Sequence, residues 1–183
     1  MSRIGNLPIL IPNGITVNQN GAGIVVNGPK GELSLEVHSG VKVSIENGVI
    51  NVKPRNSQKQ NHALQGLMRT LISNMVVGVT EGWSKNLELV GVGFRAQSTG
   101  DTLTLNVGFS HPVIIKAEEG IQFEVRDNTK IRVSGVDKYL VGQTAANIKK
   151  IKKPDVYKGK GIRYEGEYVK KKPGKAGKVG AGK

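Results

Sequence analysis

The 183-residue sequence contains no cysteine. Disulfides, thiolate zinc sites and cysteine nucleophiles are excluded together, and the absence suits a reducing interior. Histidine is scarce: His38, His62 and His111 fall in a strand-end turn, at a helix start and in a strand-proline turn, without ligand or triad spacing. No run approaches the roughly 18 apolar residues of a membrane span. The opening Met1-Ser-Arg-Ile-Gly-Asn-Leu-Pro8 has no apolar signal core, so the chain is expected to be soluble and not secreted. The glycine stretch Gly91-Val-Gly-Phe-Arg-Ala96 imitates a dinucleotide fingerprint, but that fingerprint works only when a helix follows and aims its amides at a pyrophosphate. Here another strand follows, and the glycines fit a bulge or a close backbone approach. Adjacent Glu118 and Glu119 sit in a glycine-containing turn and read as a solvated bend. No enzyme, catalytic residue, metal, cofactor or small-molecule substrate is expected.

Aliphatic and aromatic residues make up only 37% of the chain, yet they recur in patterns able to build cores. From Gly14 to Pro54 the alternation is of period two, in Ile15-Thr-Val, Ile24-Val-Val, Leu33-Ser-Leu-Glu-Val, Val41-Lys-Val-Ser-Ile and Val49-Ile-Asn-Val. Turn formers separate these runs: Asn20-Gly21, Gly28-Pro-Lys-Gly31, Ser39-Gly40 and Asn47-Gly48, the last suited to a tight hairpin. A helix should follow. Ser57 and Gln60 have capping-box spacing, and Leu64, Leu67, Met68, Leu71, Ile72 and Met75 form one stripe, with Gln65 and Arg69 largely off it. Gly78 and Gly82 mark the expected end.

The second half repeats this order. Strand patterns at Leu87–Val92, Leu103–Val107, Val113–Lys116, Phe123–Val125 and Ile131–Val133 precede a helix from about Lys138 to Lys150. Val141, Thr144, Ala145 and Ile148 lie 77 residues after Leu64, Leu67, Met68 and Leu71, which suggests an internal duplication. The expectation is an α+β chain of two tandem similar domains, each with small antiparallel sheets on one helix, followed by a basic flexible tail. The boundaries are residues 1–82, 83–169 and 170–183. Trp83, at the joint, is assigned to packing between the halves rather than to recognition.

The net charge of +13 is unevenly placed: residues 149–183 hold thirteen Lys or Arg against Asp155, Glu165 and Glu167. A dense cationic segment gains free energy by releasing the counterions condensed on a polyanion, which points to nucleic acid before membrane. The candidate contacts from this reading are Lys149, Lys150, Lys152, Lys153, Lys158, Lys160, Arg163 and Lys170, Lys171 and Lys172. Gly159 and Gly161 would let the backbone approach a phosphate. Tyr157 and Tyr164 would either stack on unpaired bases or pack beneath the loop. The tail from Lys170 onward is too poor in apolar residues to offset the entropy of ordering.

Several of these stretches resemble one known family. Met1-Ser-Arg-Ile-Gly5 with Pro8 and Ile11-Pro12, Gly28-Pro-Lys-Gly31, Gly66-Leu-Met-Arg-Thr-Leu71, Leu89-Val-Gly-Val-Gly-Phe-Arg-Ala96 and above all Pro154-Asp-Val-Tyr-Lys-Gly-Lys-Gly-Ile162 are similar to landmarks of the ribosomal protein L-six family. The resemblance covers nearly the whole chain and departs from the family pattern at Gln65, where histidine is expected, and in the Gly/Lys tail. It implies two similar domains and binding to large-subunit rRNA, mainly through the C-terminal domain, near the stalk base and sarcin-ricin loop. Neighbouring large-subunit proteins would be its other partners. Its implied location is the cytoplasm, in the large ribosomal subunit, with an organellar ribosome as the variant. Carried over by position, it adds Pro154 and Asp155 to the contacts, together with Ser2 and Arg3. The rival expectation is a free-standing RNA-binding protein or RNA chaperone, which the same cationic tail would serve.

Overall fold

The computed structural model describes residues 3–21, 23–46, 48–56, 58–172 and 174. It divides into two compact units, Met1–Trp83 with Gly135–Tyr139, and Ser84–Ser134 with Leu140–Lys183. No helix among the described residues is long and apolar enough to cross a membrane.

The first unit contains strands β1 (Ile9–Leu10), β2 (Thr16–Asn20), β3 (Gly23–Gly28), β4 (Gly31–Glu36), β5 (Val41–Glu46) and β6 (Val49–Pro54), then helix α1 (Lys59–Thr80). They form two antiparallel sheets ordered β2-β3-β4 and β1-β6-β5. Period-two alternation puts Ile24 and Val26 of β3, Val41 and Val43 of β5, and Ile50 and Val52 of β6 on the inner faces, where they meet Met68, Ile72, Met75 and Val79 of α1. The two-residue loop between β5 and β6 requires positive φ, which Gly48 supplies at +75°; its partner Asn47 lies outside the described residues.

The helix corrects three expectations. Its N-cap is Gln58, whose side chain makes no cap hydrogen bond. Asn56 stands just ahead of it, its Oδ1 accepting from the Gln58 backbone N–H and from the Asn61 side-chain amide; Ser57 lies outside the described residues. Gly78 does not end the helix but is buried inside it, where a Cβ would collide with the Val136 carbonyl and approach Trp83 Nε1 to 3.1 Å. The stripe is also rotated: Leu67 is 51% exposed, whereas Asn61, Gln65, Met68, Ile72 and Met75 are buried. Gln65 Nε2 donates to Gly5 O, Asn6 Oδ1 and Val52 O at 3.0, 3.0 and 2.9 Å, tying the N-terminal segment and β6 to the helix. A polar residue fits the core here because its amide N–H groups are taken up by these acceptors. Trp83 is grouped with this unit, its indole N–H donating to Asn74 O at 3.0 Å and the Lys138 ammonium lying 4.3 Å from its ring centroid.

The second unit runs through β7 (Trp83–Val90), β8 (Arg95–Thr99), β9 (Thr102–Asn106), β10 (Val113–Lys116), β11 (Ile121–Arg126), β12 (Lys130–Gly135), α2 (Lys138–Ile151) and β13 (Gly161–Tyr164). Its sheets are ordered β10-β9-β8 and β11-β12-β7-β13. Asp127 and Asn128, both near φ +54°, form the turn that returns β11 to β12, and short Asx side chains tolerate that left-handed conformation. The glycine stretch at 91–94 is a turn carrying the chain from β7 in one sheet to β8 in the other, not a bulge within a sheet.

Both units follow one plan: a strand, a three-stranded meander, a hairpin and a helix. The hairpin and first strand form one sheet, ordered β5-β6-β1 in the first unit and β11-β12-β7 in the second. The helices match at an offset of 76 rather than 77, since Gln65, Met68 and Ile72 are buried like Val141, Thr144 and Ile148. The second unit has one strand more, β13.

Candidate nucleic-acid interface

Everything after α2 builds on that extra strand. Lys149 and Lys150 occupy the last turn of α2, where cations complement the negative end of the helix dipole. Pro154 cannot continue a helix. Residues 161–164 then pair with β7 in the register Gly161↔Val90, Ile162↔Leu89, Arg163↔Glu88 and Tyr164↔Leu87. Ile162 is completely buried, and that burial anchors the strand. Its N–H donates to Lys152 O at 2.8 Å, tying the strand to the segment that leaves the helix.

Between Pro154 and Gly161 the loop is organised by Asp155. Its N–H donates to Lys160 O at 2.9 Å, its carbonyl accepts from Gly159 N at 2.8 Å, and its Oδ2 accepts from Lys158 N at 3.0 Å. The backbone N–H groups of Lys158 and then Tyr157 hold the Asp155 carboxyl below the usual carboxylate range. Asp155 is thus the loop's internal scaffold, a role that explains an acid among lysines.

The glycines are also used internally. Gly159 and Gly161 are buried, so their backbones face the chain itself and not an open approach for phosphate. A Cβ at Gly161 would stand 2.6 Å from Pro154 Cα and 2.7 Å from Lys153 O. At Gly159 (φ +73°) it would lie 3.2 Å from Lys171 Cε.

The remaining candidates separate into two groups. Lys149, Lys152, Arg163 and Tyr164 are engaged within the unit. Arg163 forms an ion pair with Glu88, directly opposite it in the sheet. Lys149 Nζ contacts both oxygens of Glu167 at 2.6 and 2.7 Å and lies 4.5 Å from the Tyr164 ring centroid. Lys152 Nζ lies 4.8 Å from the ring centroid of Phe109. The Lys149 ammonium and then the Tyr164 N–H hold the Glu167 carboxyl below its ordinary range.

The outward group comprises Lys150, Lys153, Tyr157, Lys158, Lys160, Lys170, Lys171 and Lys172, all exposed. Among the described residues none of these lysines closes an ion pair with an acid. Tyr157 is 58% exposed, whereas Tyr164 is half-buried with its ring beside Lys149 Nζ. Pro154 is half-buried at a depression of about 520 Å³ whose rim carries Lys150 and Lys153. Lys172 N–H donates to Val156 O at 2.8 Å, so the first residues of the expected tail lie against the loop. Residues 173 and 175–183 lie outside the described residues, as does Ser2, and Arg3 is exposed in the turn before β1 of the first unit.

Sequence reasoning missed Glu88 and Glu167 as partners of Arg163 and Lys149, and it missed β13. Glu88 is 75 residues from Arg163, and only the β7–β13 register brings them together. Asp155 did carry a readable signal, an aspartate three residues before the amide that it caps.

This architecture agrees with comparisons to known proteins. A family model described as ribosomal protein L6 matches residues 11–82 and 90–165. Large ribosomal subunit protein uL6 of Halalkalibacterium halodurans is 54% identical over 178 residues, covering 97% of this chain and 100% of that protein. The proteins of the same name from Shouchella clausii and Clostridium novyi are 52% and 54% identical, again over 97% of this chain and 100% of theirs. The matched segments span both units and include the whole 154–162 loop, and on these grounds the chain belongs to the ribosomal protein L6 family.

Proposed function

We propose that this protein is a non-catalytic structural component of the large ribosomal subunit in the cytoplasm, and that its second unit binds large-subunit rRNA. The observation that carries the rRNA reading is the sorting of cations around the 155–160 loop. Four predicted contacts are consumed in holding the unit together, while Lys150, Lys153, Lys158, Lys160 and Lys170–Lys172 remain exposed, Lys158 and Lys160 on a loop whose backbone is fixed by Asp155. A fixed loop presents its charges without first losing conformational entropy, and a folded RNA offers phosphates at fixed positions to match. Exposed Tyr157 adds a surface for an unpaired base. The address near the stalk base and sarcin-ricin loop, with neighbouring large-subunit proteins as further partners, belongs to the same proposal.

The test is crosslinking of the tagged full-length protein in cells, followed by sequencing of RNA joined to residues 149–172. Fragments confined to one region of large-subunit rRNA are expected. Fragments scattered over unrelated transcripts would replace this reading with that of a free-standing RNA binder.

A further inference from the structure

Glu167 makes four hydrogen bonds in the midst of a strongly cationic segment. Its carboxylate takes Lys149 Nζ on both oxygens at 2.6 and 2.7 Å, and Oε2 also accepts the Tyr164 N–H at 3.0 Å. Its own N–H returns to Tyr164 O at 3.0 Å, closing a turn in which Gly166 takes a φ of +77°. The chain is thereby turned back after β13. Five residues later Lys172 N–H reaches Val156 O at 2.8 Å, and the Lys171 side chain lies over Gly159. Ahead of Glu167 the stretch is tied to β7, the Glu165 N–H donating to Asn86 O at 3.0 Å and Asn86 Nδ2 donating to Glu165 Oε2 at 2.8 Å. Beyond Glu167, Tyr168 is 87% exposed and Lys170, Lys171 and Lys172 are exposed lysines.

We propose that residues 165–172 form a clasp, with Glu167 as its positioning residue, that holds the Lys170–Lys172 row beside the 155–160 loop so that both cationic segments meet one RNA as a single surface. This rests on the rRNA-binding reading and adds the part of the surface that the loop alone does not supply. It also gives the acid a reason to be there. Charge counting says that a carboxylate among lysines weakens attraction for a polyanion, so removing Glu167 should strengthen binding. The clasp makes the opposite prediction: without Glu167 the lysine row comes away from the loop, and its phosphate contacts are lost or must be ordered at the moment of binding.

The experiment uses the full-length chain and a transcript of the large-subunit rRNA region recovered by crosslinking, with affinity measured across a salt series. Glu167→Ala should weaken binding several-fold and lower the salt slope by about one to two units, despite the gain of one positive charge. Glu119→Ala removes the same charge at an exposed turn of the same unit, away from the clasp and the loop, and should not flatten the slope. Glu167→Gln, which keeps an acceptor for the Tyr164 N–H but loses the ionic contact to Lys149, should fall between wild type and Glu167→Ala, and it preserves the test where alanine harms folding. Hydrogen exchange on the free protein should show faster exchange at Lys172 in Glu167→Ala. Equal or tighter binding by Glu167→Ala, with an unchanged slope, overturns the clasp. The triple variant Lys153→Ala, Lys158→Ala and Lys160→Ala separates the two readings. If it flattens the slope and Glu167→Ala does not, only the clasp fails; if it changes nothing, the rRNA interface assignment fails and takes the clasp with it.

Discussion

The two units share a plan up to the helix and diverge beyond it. In the first, α1 stops at Thr80 and the chain turns at Gly82, leaving β1, a strand of two residues, at the edge of its three-stranded sheet. In the second, α2 gives way to a proline, a lysine-rich loop and β13, which pairs with the far side of β7. Strand β7, with β12 on its other side, is eight residues long. The difference shows how a repeated scaffold acquires an ordered, lysine-rich loop. The fold contributes an open sheet edge, an added strand with one deeply buried isoleucine occupies it, and the loop leading to that strand is held at both ends.

The largest test of this comparison is Gly161→Ala. A methyl group there meets the main chain of Lys153 and Pro154, which cannot yield as a flexible side-chain tip would. Detachment of β13 and a loss of about 3 kcal/mol, at the upper end for overpacking, are expected in denaturant unfolding. Amide exchange in β2–β6 should be unaffected. Retention of β7 protection at wild-type level would show that β13 is dispensable to the second unit.

Next comes the charge itself. Replacing Lys153, Lys158 and Lys160 by alanine should lower rRNA affinity about a hundredfold near physiological salt and reduce the salt slope by about 2–3 units. Replacing the exposed Lys42, Lys53 and Lys59 of the first unit removes the same charge and should leave the slope near its wild-type value. Equal flattening by both triples would mean that net charge, and not the loop, governs binding.

The first unit has its own point of failure in Gln65. Gln65→Ala removes the donor that the Gly5 and Val52 carbonyls share in the core, at a cost of about 2 kcal/mol. The expected signature is a lower unfolding midpoint with rRNA affinity intact. A parallel loss of affinity would reveal that the first unit also takes part in binding.

The smallest effect is that of acid. Asp155 and Glu167 both have carboxyls held below their ordinary values, 3.8 and 4.5, by hydrogen bonds made only in the folded chain. Groups lowered in this way contribute their stabilisation in full above the unfolded-state values, and it is lost as pH falls through the folded-state values. The loop and the turn at Gly166 should therefore loosen below about pH 4, visible as line broadening at Lys158 and Tyr164 amides. Their sharp persistence to much lower pH would show that these hydrogen bonds do not hold the loop.

Much of this molecule is legible in local sequence. The alternation in Ile24-Val-Val and Val41-Lys-Val-Ser-Ile, the Asn-Gly and Asp-Asn turns and the apolar spacing in α2 report on neighbours within a few residues, and local conformational preference is enough to read them. Charge is equally legible, because the net excess in residues 149–183 needs no fold to be counted. The rotation of the α1 stripe was not, since Leu67 and Gln65 exchange the places their polarity suggests. Three acceptors from distant parts of the chain make the buried amide the better choice.

The same limit governs the interface. Sequence determined that the C-terminal segment is cationic and that a loop begins at Pro154. Tertiary structure decided which of its cations face outward. Arg163 meets Glu88 only through strand register, and Lys149 meets Glu167 only because the chain turns back after Tyr164. Gly159 and Gly161, read as room for a phosphate, are instead filled by the chain itself. Composition fixes how much charge a segment carries, whereas pairing distances, and so the charge left over for a partner, are set by contacts between residues far apart in the chain.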